Sequence, residues 1–536
     1  MTINLLRSYT YKNAICLLIA LYFLVLMHIY LPNRGGNGLN LPLNIFAWLW
    51  ICMLMCVIAF SGNRGRFIYP RYISAMVLGG FLLTVPLFWA SRAGMMNAVW
   101  RVMALWGGLF IYVLLYQLRL CFTQKIRVMW AIFGATVIEA VVSLWQIGQL
   151  LMGAGSRPGG IFQQVNVLAS FLATGLAISF ILYSMSKPAW VRAFLALSQI
   201  MISLILVMLS SRVGWLAGIV VYTLYLGRYL TRRHDTVAAV LLYPLLGAGV
   251  GIGIMYAVQQ GWWVLDGLLV DKQMSSHLRW ILLIATWSMI KAHLLTGVGY
   301  GEYAYTLLRT LSAPQAQEAW RVTHPHNEIL YWWVEGGILA LVGIGCIIYG
   351  ILRQATTPKC NENYLWLYVM IPIALHTMTE FPFYLSMPHL FISLLCISFL
   401  RDDGRPILRG RARLLRITFG VVFFLLAAIF IFMLQANFYL YQFERSGMKN
   451  KDYLARIDMP MLQWERYQFD RHISMLLSYN TTRNDQLLIE FERWARDYSD
   501  RNNDRNVCWT RVNIAKHFRL ADKYSALKSE CTVLYP

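Results

Sequence analysis

The chain has 536 residues, of which 58% are hydrophobic and only 13% are charged, and its mean hydropathy is +0.52. These values exclude a soluble globular protein and indicate a polytopic membrane protein. The formal net charge of +22 does not indicate nucleic-acid binding, because lysine and arginine fall mainly in short runs between apolar stretches. Such runs are typical of cytoplasmic loops.

Apolar stretches long enough to cross a hydrocarbon core of about 30 Å recur along the chain. The first of them lacks a small-residue cleavage site before Asn33, so it is expected to stay as a membrane helix. We predict thirteen spans: 13–31, 42–60, 72–90, 97–117, 128–151, 167–185, 193–210, 213–229, 237–257, 326–352, 364–383, 386–400 and 417–436.

The loops between these spans alternate in charge. The loops of one side offer only Arg34, Arg92, Arg157 and Arg212. The loops of the other side carry Arg7, Lys12, Arg64, Arg66, Arg71, Arg119, Lys125, Arg127, Lys187, Arg192, Arg228, Arg232, Arg233, Arg353, Lys359 and the run from Arg401 to Arg416. By the positive-inside rule the basic side is cytoplasmic, which puts the N-terminus inside and, with an odd number of spans, the C-terminus outside.

This orientation separates the nine cysteines into two groups. Seven of them lie in spans or cytoplasmic loops, where disulfides are not expected: Cys16, Cys52, Cys56, Cys121, Cys346, Cys360 and Cys396. Cys508 and Cys531 lie in the outer tail, which is an oxidising compartment if it is a periplasm, and there they can pair. No CxxC or zinc-type spacing is present.

Two long segments are predicted outside the membrane on the same face. The first, 258–325, contains an amphipathic stretch that is too broken by charge to span and suits the membrane interface. The second, 437–536, carries 16 basic and 13 acidic residues and shows helical apolar spacing. We therefore expect a transmembrane domain, 1–436, and a helical outer domain, 437–536, whose surface is solvated or binds a protein.

Polar clusters from five separate segments fall on this outer face. Each has an ordinary explanation: a lone arginine snorkels to lipid phosphate, HxxxE on one helix face joins two helices, and HxH alone lacks the further ligands of a metal site. Convergence on one face favours a functional site, because snorkelling side chains would be found on both faces. The clusters contain Arg157, Gln163, Gln164 and Asn166; Arg212; Arg279; His324, His326 and Asn327; and His376 with Glu380.

The residue types indicate chemistry on a phosphate-bearing substrate. Guanidinium groups bind phosphate oxygens in a bidentate manner, which suits Arg157, Arg212 and Arg279. Pro325 is expected in the first turn of the tenth span, with Thr323 or His324 near the cap. This would place His326 and Asn327 beside the unsatisfied N–H groups of the helix, an additional anion site. There a neutral imidazole can accept a proton from an incoming hydroxyl, while the arginines stabilise a departing pyrophosphate.

Glu335 lies nine residues beyond His326, about 13 Å along a helix and on the opposite face. It is therefore not expected to orient His326. Packing or a partner on another helix suits it better, and Gly336 and Gly337 would allow a neighbour to approach closely.

Five strings between about residues 155 and 390 together carry a family resemblance: RPGGIFQQVNVLASFLATGL, LSSRVGWLAG, LLTGVGYGEY, HPHNEILYWWVEGGILALVGI and LHTMTEFPFYL. The chain resembles the O-antigen ligase superfamily, and more closely the bacterial membrane O-linked oligosaccharyltransferases that glycosylate pilins and other periplasmic proteins. The Arg-Pro-Gly-Gly string and the Glu-Phe-Pro string favour this protein-directed branch.

The resemblance implies a GT-C-like helical bundle in the bacterial inner membrane with its site facing the periplasm. The donor would be an oligosaccharide on undecaprenyl pyrophosphate, transferred en bloc to serine or threonine without a metal or cofactor. His326 would be the base or would orient the acceptor, supported by His324 and Asn327, and the three arginines would bind pyrophosphate. Gln164 and Asn166 would line the donor site, His376 and Glu380 would shape the acceptor side, and Glu335 is assigned to the same pocket.

Three other interpretations remain open. An O-antigen ligase or polymerase would use a lipid A-core or glycan acceptor instead of a protein. A transporter for lipid-linked sugars would also bind pyrophosphate, although no internal repeat is seen and the candidate residues gather at one face. A scaffold protein could be argued from the outer tail alone.

Overall fold

The chain folds almost entirely into helices. The computed structural model describes residues 2–61, 67–154, 157–230, 237–262, 268, 272–357, 362–402, 404–407, 409–500 and 502–535. Within these ranges it has 22 α-helices and one two-stranded sheet, which confirms an all-α polytopic membrane protein. Several residues singled out from the sequence lie outside the described residues: Arg64, Arg66, Gly155, Ser156, Arg232, Arg233, Lys359 and Cys360.

In chain order the helices are α1 (Thr2–Leu24), α2 (Pro42–Ser61), α3 (Ile73–Thr84), α4 (Arg92–Tyr116), α5 (Phe122–Leu151), α6 (Val165–Met185), α7 (Ala189–Met208), α8 (Arg212–Leu230), α9 (Val237–Gln259), α10 (Lys272–Ala292), α11 (Tyr303–Thr310), α12 (Ala313–Ala319), α13 (Glu328–Ala355), α14 (Asn363–Thr377), α15 (Pro382–Leu385), α16 (Met387–Phe399), α17 (Arg409–Arg445), α18 (Asp452–Ala455), α19 (Trp464–Thr482), α20 (Asp485–Ser499), α21 (Arg505–His517) and α22 (Ala521–Leu534). The described connections between helices vary from one residue, between α15 and α16, to 17 residues, between α1 and α2.

Nine helices in the described part of the chain are long and apolar enough to cross a membrane. They are Thr10–His28, Pro42–Ser61, Gly94–Tyr116, Phe122–Leu151, Val165–Met185, Ala189–Met208, Leu241–Gln259, Glu328–Ala355 and Gly410–Arg445. Each coincides with a predicted span, so the chain is a multi-pass membrane protein.

The other four predicted spans also lie on helices of the described part of the chain. Helix α3 continues as a 3-10 helix to Trp89, so the apolar segment Ile73–Trp89 has 17 residues. Helices α14 and α16 have 15 and 13 residues, and at 1.5 Å per residue each is shorter than about 30 Å. Helix α8 has 19 residues and carries Arg212 and Arg228. These four spans stay predictions.

A small sheet was not anticipated from the sequence. Strand β1 (Phe67–Tyr69) pairs antiparallel with β2 (Arg405–Ile407), with Phe67 opposite Ile407. The Gln117 side chain accepts a hydrogen bond from the Ile68 N–H at 2.9 Å and donates to its carbonyl at 2.6 Å. Strands of three residues are too short to produce a detectable alternating pattern.

The chain divides into two compact units. The first comprises 1–73, 108–271 and 350–428, and the second comprises 74–107, 272–349 and 429–536. By packing, the tail thus belongs with the segment that contains α10 to α13. The predicted functional division at residue 436 stays a prediction.

The outer tail is helical, as its apolar spacing predicts. Helices α19, α20 and α21 enclose a core that includes Leu488, Phe491 and Ile514. Cys508 and Cys531 form a disulfide between α21 and α22, with their Cα atoms 6.0 Å apart. A second core joins these two helices to α11 and α12, which ties the tail to the segment that precedes the histidines.

Candidate functional site

In the first unit, a buried carboxylate collects polar side chains from two helices. Glu380 follows the end of α14 and is only 5% exposed. Its Oε1 accepts from Asn166 Nδ2 at 2.6 Å, and its Oε2 accepts from Gln164 Nε2 at 3.1 Å and faces His376 Nε2 at 3.2 Å. The structure therefore brings together four of the predicted site residues: Gln164, Asn166, His376 and Glu380.

The hydrogen bonds hold Glu380 in its ionised form. Both carboxylate oxygens accept hydrogen bonds from side-chain amides, and the His376 imidazole lies against one of them. Hydrogen bonds to the charged form of a carboxyl favour that form. Glu380 thus serves as a hydrogen-bond acceptor for side chains from both helices.

Behind Glu380 the polar network continues into the helix bundle. His376 Nδ1 lies 2.7 Å from Ser170 Oγ, which lies 3.0 Å from His389 Nε2. His389 Nδ1 in turn lies 2.7 Å from Ser386 Oγ. Both histidines are fully buried. The HxxxE pair is therefore part of a helix–helix network, the ordinary explanation that the sequence had left open.

The turn between α7 and α8 lies next to this network. Ser211 Oγ donates to Asn166 Oδ1 at 2.7 Å, and the Arg157 guanidinium donates to the carbonyl oxygen of Leu209. Arg212 is the first residue of α8, and its side chain is exposed. Arg157 thus braces the backbone of this turn, whereas the Arg212 side chain lies at the surface of the protein.

The loop that contains Arg157 and Gln164 is held by hydrogen bonds to side chains of α5. Gln146 Oε1 accepts from the N–H groups of Gly159 and Gly160 at 3.1 and 2.9 Å. Glu139 Oε2 accepts from the Ile161 N–H at 2.9 Å, while its Oε1 lies 2.7 Å from His28 Nδ1. Glu139 is fully buried, so this second carboxylate is satisfied by a backbone donor and an imidazole.

In the second unit, the histidine segment leads into α13. The rings of His324 and His326 lie 4.5 Å apart between centroids, and the ring of Tyr331 lies 6.5 Å from that of His324. Asn327 Oδ1 accepts from the Leu330 N–H at 3.0 Å. Asn327 is therefore the N-cap of α13, which begins at Glu328.

This corrects the position that the sequence predicted for Pro325. Pro325 does not occupy the first helical turn, and His326 precedes the helix with a left-handed backbone, φ 56°. The asparagine side chain caps the first turn better than a threonine or histidine further upstream, so the helix starts after it. His326 sits at a sharp bend, a conformation that non-glycine residues rarely adopt.

Glu335 has the partner on another helix that its position predicts. Arg101 of α4 donates to Glu335 Oε2 at 2.5 Å, and Glu335 Oε1 accepts from the Tyr303 N–H at 3.1 Å. The Arg101 guanidinium also lies 4.5 Å from the ring centroid of Tyr331 and 4.3 Å from that of Trp332. Glu335 and Arg101 thus form a buried ion pair between α13 and α4.

Arg279, the third predicted pyrophosphate ligand, lies in the first half of α10 and is half-buried. The same helix packs through Leu282, Ala285 and Met289 against α11 and α13. Arg279 therefore belongs to the unit that contains the histidines, whereas Arg157 and Arg212 belong to the other unit.

Models of three protein families match segments of the chain. Residues 197–345 match the model of the O-antigen ligase family, and residues 158–182 match that of a protein glycosylation ligase. Residues 364–502 match the C-terminal model of a virulence factor membrane-bound polymerase. The chain belongs to the O-antigen ligase superfamily. No curated protein matches the chain.

The matches confirm the resemblance and support a glycan-transferring enzyme. Such families imply a lipid-linked glycan donor and a protein or lipid acceptor. Within the ligase, Gln164 and Asn166 lie in the segment that matches a protein glycosylation ligase, and Glu380 lies in the segment that matches a polymerase. The histidine segment lies in the part that matches O-antigen ligases.

Sequence reasoning missed several residues of these networks. Ser170, Ser211, Gln146 and His389 are single polar residues in or beside apolar helices, and no spacing distinguishes them from ordinary helix residues. For Arg101 and Glu139 a signal existed, because a charged residue inside a membrane span is rare and usually has a partner. That signal indicates the need for a partner without identifying it.

Proposed function

We propose that this ligase is a periplasm-facing O-oligosaccharyltransferase of the bacterial inner membrane. It would move a preassembled glycan en bloc from undecaprenyl pyrophosphate to a serine or threonine of a pilin or another periplasmic protein. The observation that carries the proposal is the match of residues 158–182 to a protein glycosylation ligase. That match favours a protein acceptor within a superfamily that otherwise includes ligases and polymerases of glycans.

In the proposed reaction the acceptor oxygen attacks the anomeric carbon of the first sugar, and the bond from that carbon to the phosphate oxygen breaks. The hydroxyl proton passes to the imidazole of His326, and both electrons of the broken bond leave with undecaprenyl pyrophosphate. A single displacement of this kind inverts the anomeric configuration. The proposal needs neither a nucleotide sugar nor a covalent glycosyl-enzyme.

The proposal assigns roles to the remaining predicted residues. Arg157, Arg212 and Arg279 are the pyrophosphate ligands, because guanidinium forks stabilise the charge that grows on the leaving group. Asn327 caps α13 directly after His326, and the His324 ring lies against that of His326. These two residues support the bend that presents the imidazole.

Replacing His326 by alanine tests the proposed base. We expect the variant to lose glycan transfer by about 100-fold or more, the usual contribution of a general base. The measurement is transfer from purified lipid-linked donor to a purified periplasmic acceptor by the reconstituted protein. His293→Ala is the matched control, because His293 is exposed at the end of α10 in the same unit. Full transfer by a well-folded His326→Ala variant would remove His326 from the mechanism.

A second candidate function is transfer to a glycan or to lipid A-core, as an O-antigen ligase or polymerase. The matches over 197–345 and 364–502 favour it. A host that supplies the lipid-linked donor distinguishes the two, by mass spectrometry of periplasmic proteins and by analysis of its lipopolysaccharide. Glycan on protein supports the leading proposal, whereas modified lipopolysaccharide alone contradicts it and supports the second.

A further inference from the structure

The start of α8, where Arg212 lies, is set by the side chain before it. Ser211 caps the helix, because the Gly214 N–H donates to Ser211 Oγ at 3.3 Å and the Trp215 N–H donates to the Ser211 carbonyl at 3.0 Å. The Ser211 hydroxyl itself is buried and donates to Asn166 Oδ1 at 2.7 Å. The backbone at Arg212 is therefore tied to α6.

The orientation of the Asn166 amide follows from Glu380. An ionised carboxylate only accepts hydrogen bonds, so the Asn166 NH₂ group must face Glu380 Oε1, at 2.6 Å. The amide oxygen is then directed to Ser211, which has to be the donor. A chain of hydrogen bonds with one fixed direction runs from the cap of α8 through Asn166 to the carboxylate of Glu380.

The Glu380 end of this chain of hydrogen bonds is also held in place. Glu380 Oε2 accepts from Gln164 Nε2, and Gln164 Oε1 caps α6 by accepting from the Val167 N–H at 3.2 Å. His376, one helical turn before Glu380 and fully buried, lies 3.2 Å from the same oxygen. With donors on both oxygens, the carboxylate has little freedom to turn toward a substrate.

We propose that Glu380 is a positioning residue that, through Asn166 and Ser211, fixes the start of α8 and thereby the Arg212 guanidinium that binds the pyrophosphate of the lipid-linked donor. This inference rests on the proposed function. It replaces the acceptor-side role that the sequence suggested for Glu380, because its oxygens are occupied by Gln164, Asn166 and His376. Loss of this positioning should weaken binding of the anionic donor and leave binding of the acceptor hydroxyl unchanged.

The test measures steady-state transfer with reconstituted full-length protein, varying donor and acceptor separately. For Ser211→Ala and for Glu380→Gln we expect the donor KM to rise about tenfold, the size of one lost buried hydrogen bond. The acceptor KM should stay within twofold. Inorganic pyrophosphate serves as a competing anion, and its inhibition constant should rise by the same factor as the donor KM.

A double variant shows whether Ser211 and Glu380 act through the same chain of hydrogen bonds. If they do, Ser211→Ala combined with Glu380→Gln raises the donor KM no further than the more damaging single change. Ser198→Ala is the matched control, because Ser198 is an equally buried serine whose hydroxyl donates within α7, to Phe194. It should leave both KM values unchanged. Ser211→Thr keeps a capping hydroxyl and should recover most of the donor affinity.

The possible outcomes separate this inference from the proposed function. An unchanged donor KM and pyrophosphate inhibition in Ser211→Ala, or additive effects in the double variant, would overturn the positioning role. A rise in the acceptor KM of Glu380→Gln would overturn it as well, in favour of an acceptor-side role. Absence of transfer to any acceptor by the wild-type protein is a failure of the proposed function itself.

Discussion

The pair of Arg101 and Glu335 illustrates what a charged residue inside an apolar helix requires. Glu335 is fully buried, and a charge without a partner in that environment is strongly unfavourable. One of its oxygens meets Arg101 and the other meets the Tyr303 N–H. Three separate stretches of chain are thus joined by a single carboxylate, and Arg101 also lies over the ring of Tyr331.

Removal of the Arg101 charge should destabilise the protein severely. For Arg101→Met we expect a loss of about 3–5 kcal/mol in the free energy of unfolding, because Glu335 stays behind as a buried charge. Arg101→Met combined with Glu335→Gln should recover much of the loss, since a neutral amide oxygen still accepts from Tyr303. Thermal unfolding in detergent measures both variants.

The control for this experiment is an ion pair at the surface. Arg309 lies 3.8 Å from Glu530, and both side chains are partly exposed. Arg309→Met should therefore cost only about 0–1 kcal/mol. Equal destabilisation by the two arginine substitutions would show that burial does not determine the cost.

At the scale of elements, α13 contains one residue at which the backbone leaves the helical conformation. Gly337 has φ 66° and ψ −159°, a region open almost solely to glycine, between two helical stretches. A Cβ atom at Gly337 would collide with the carbonyl of Leu295, and one at Gly297 would collide with that of Glu335. The break lets the segment after α10 approach the backbone of α13 beside the Arg101–Glu335 pair.

Two glycines of α13 allow a matched test. Gly337→Ala should lower the free energy of unfolding by about 1–3 kcal/mol, from backbone strain alone, and the collision adds to that. Gly345 is helical and a Cβ there meets only open space. Gly345→Ala should be neutral or stabilising by up to about 1 kcal/mol. Equal thermal stability of the two variants would contradict the requirement for a break at Gly337.

At the scale of the whole molecule, charge and cysteine placement predict the sides of the membrane. The tail disulfide between Cys508 and Cys531 fits an oxidising compartment, and Cys121 lies exposed in a basic loop that we predict to be cytoplasmic. A cysteine reagent that cannot cross the membrane is therefore expected to reach the tail from outside and not to reach Cys121.

Labelling of cysteines in intact spheroplasts checks this arrangement. Ala526 is exposed on α22, so Ala526→Cys should react from outside with a charged maleimide. Cys121 in the same chain should react only after the membrane is permeabilised, and it is the internal control. Reaction of Cys121 before permeabilisation, or protection of the residue at 526, would contradict a cytoplasmic N-terminus and a periplasmic tail.

The sequence alone determined the class of protein, the membrane helices and the family. Hydropathy, the bias of basic residues and the motif strings are local properties, readable over a few tens of residues without knowledge of packing. The same reasoning predicted a helical tail and allowed its two cysteines to pair. Its predicted span 364–383 extends beyond the end of α14 at Thr377, because the following turn also contains apolar residues.

The tertiary structure decided which polar groups satisfy one another. Asn166 meets Glu380 across 214 residues of sequence, and Arg101 meets Glu335 across 234. It also decided that Asn327, and not a residue before Pro325, caps α13, which leaves His326 at a bend before the helix. A buried charge is unfavourable without a partner, so a charged residue in an apolar helix predicts that a partner exists. Which residue is that partner depends on how distant helices pack, and the sequence alone does not show it.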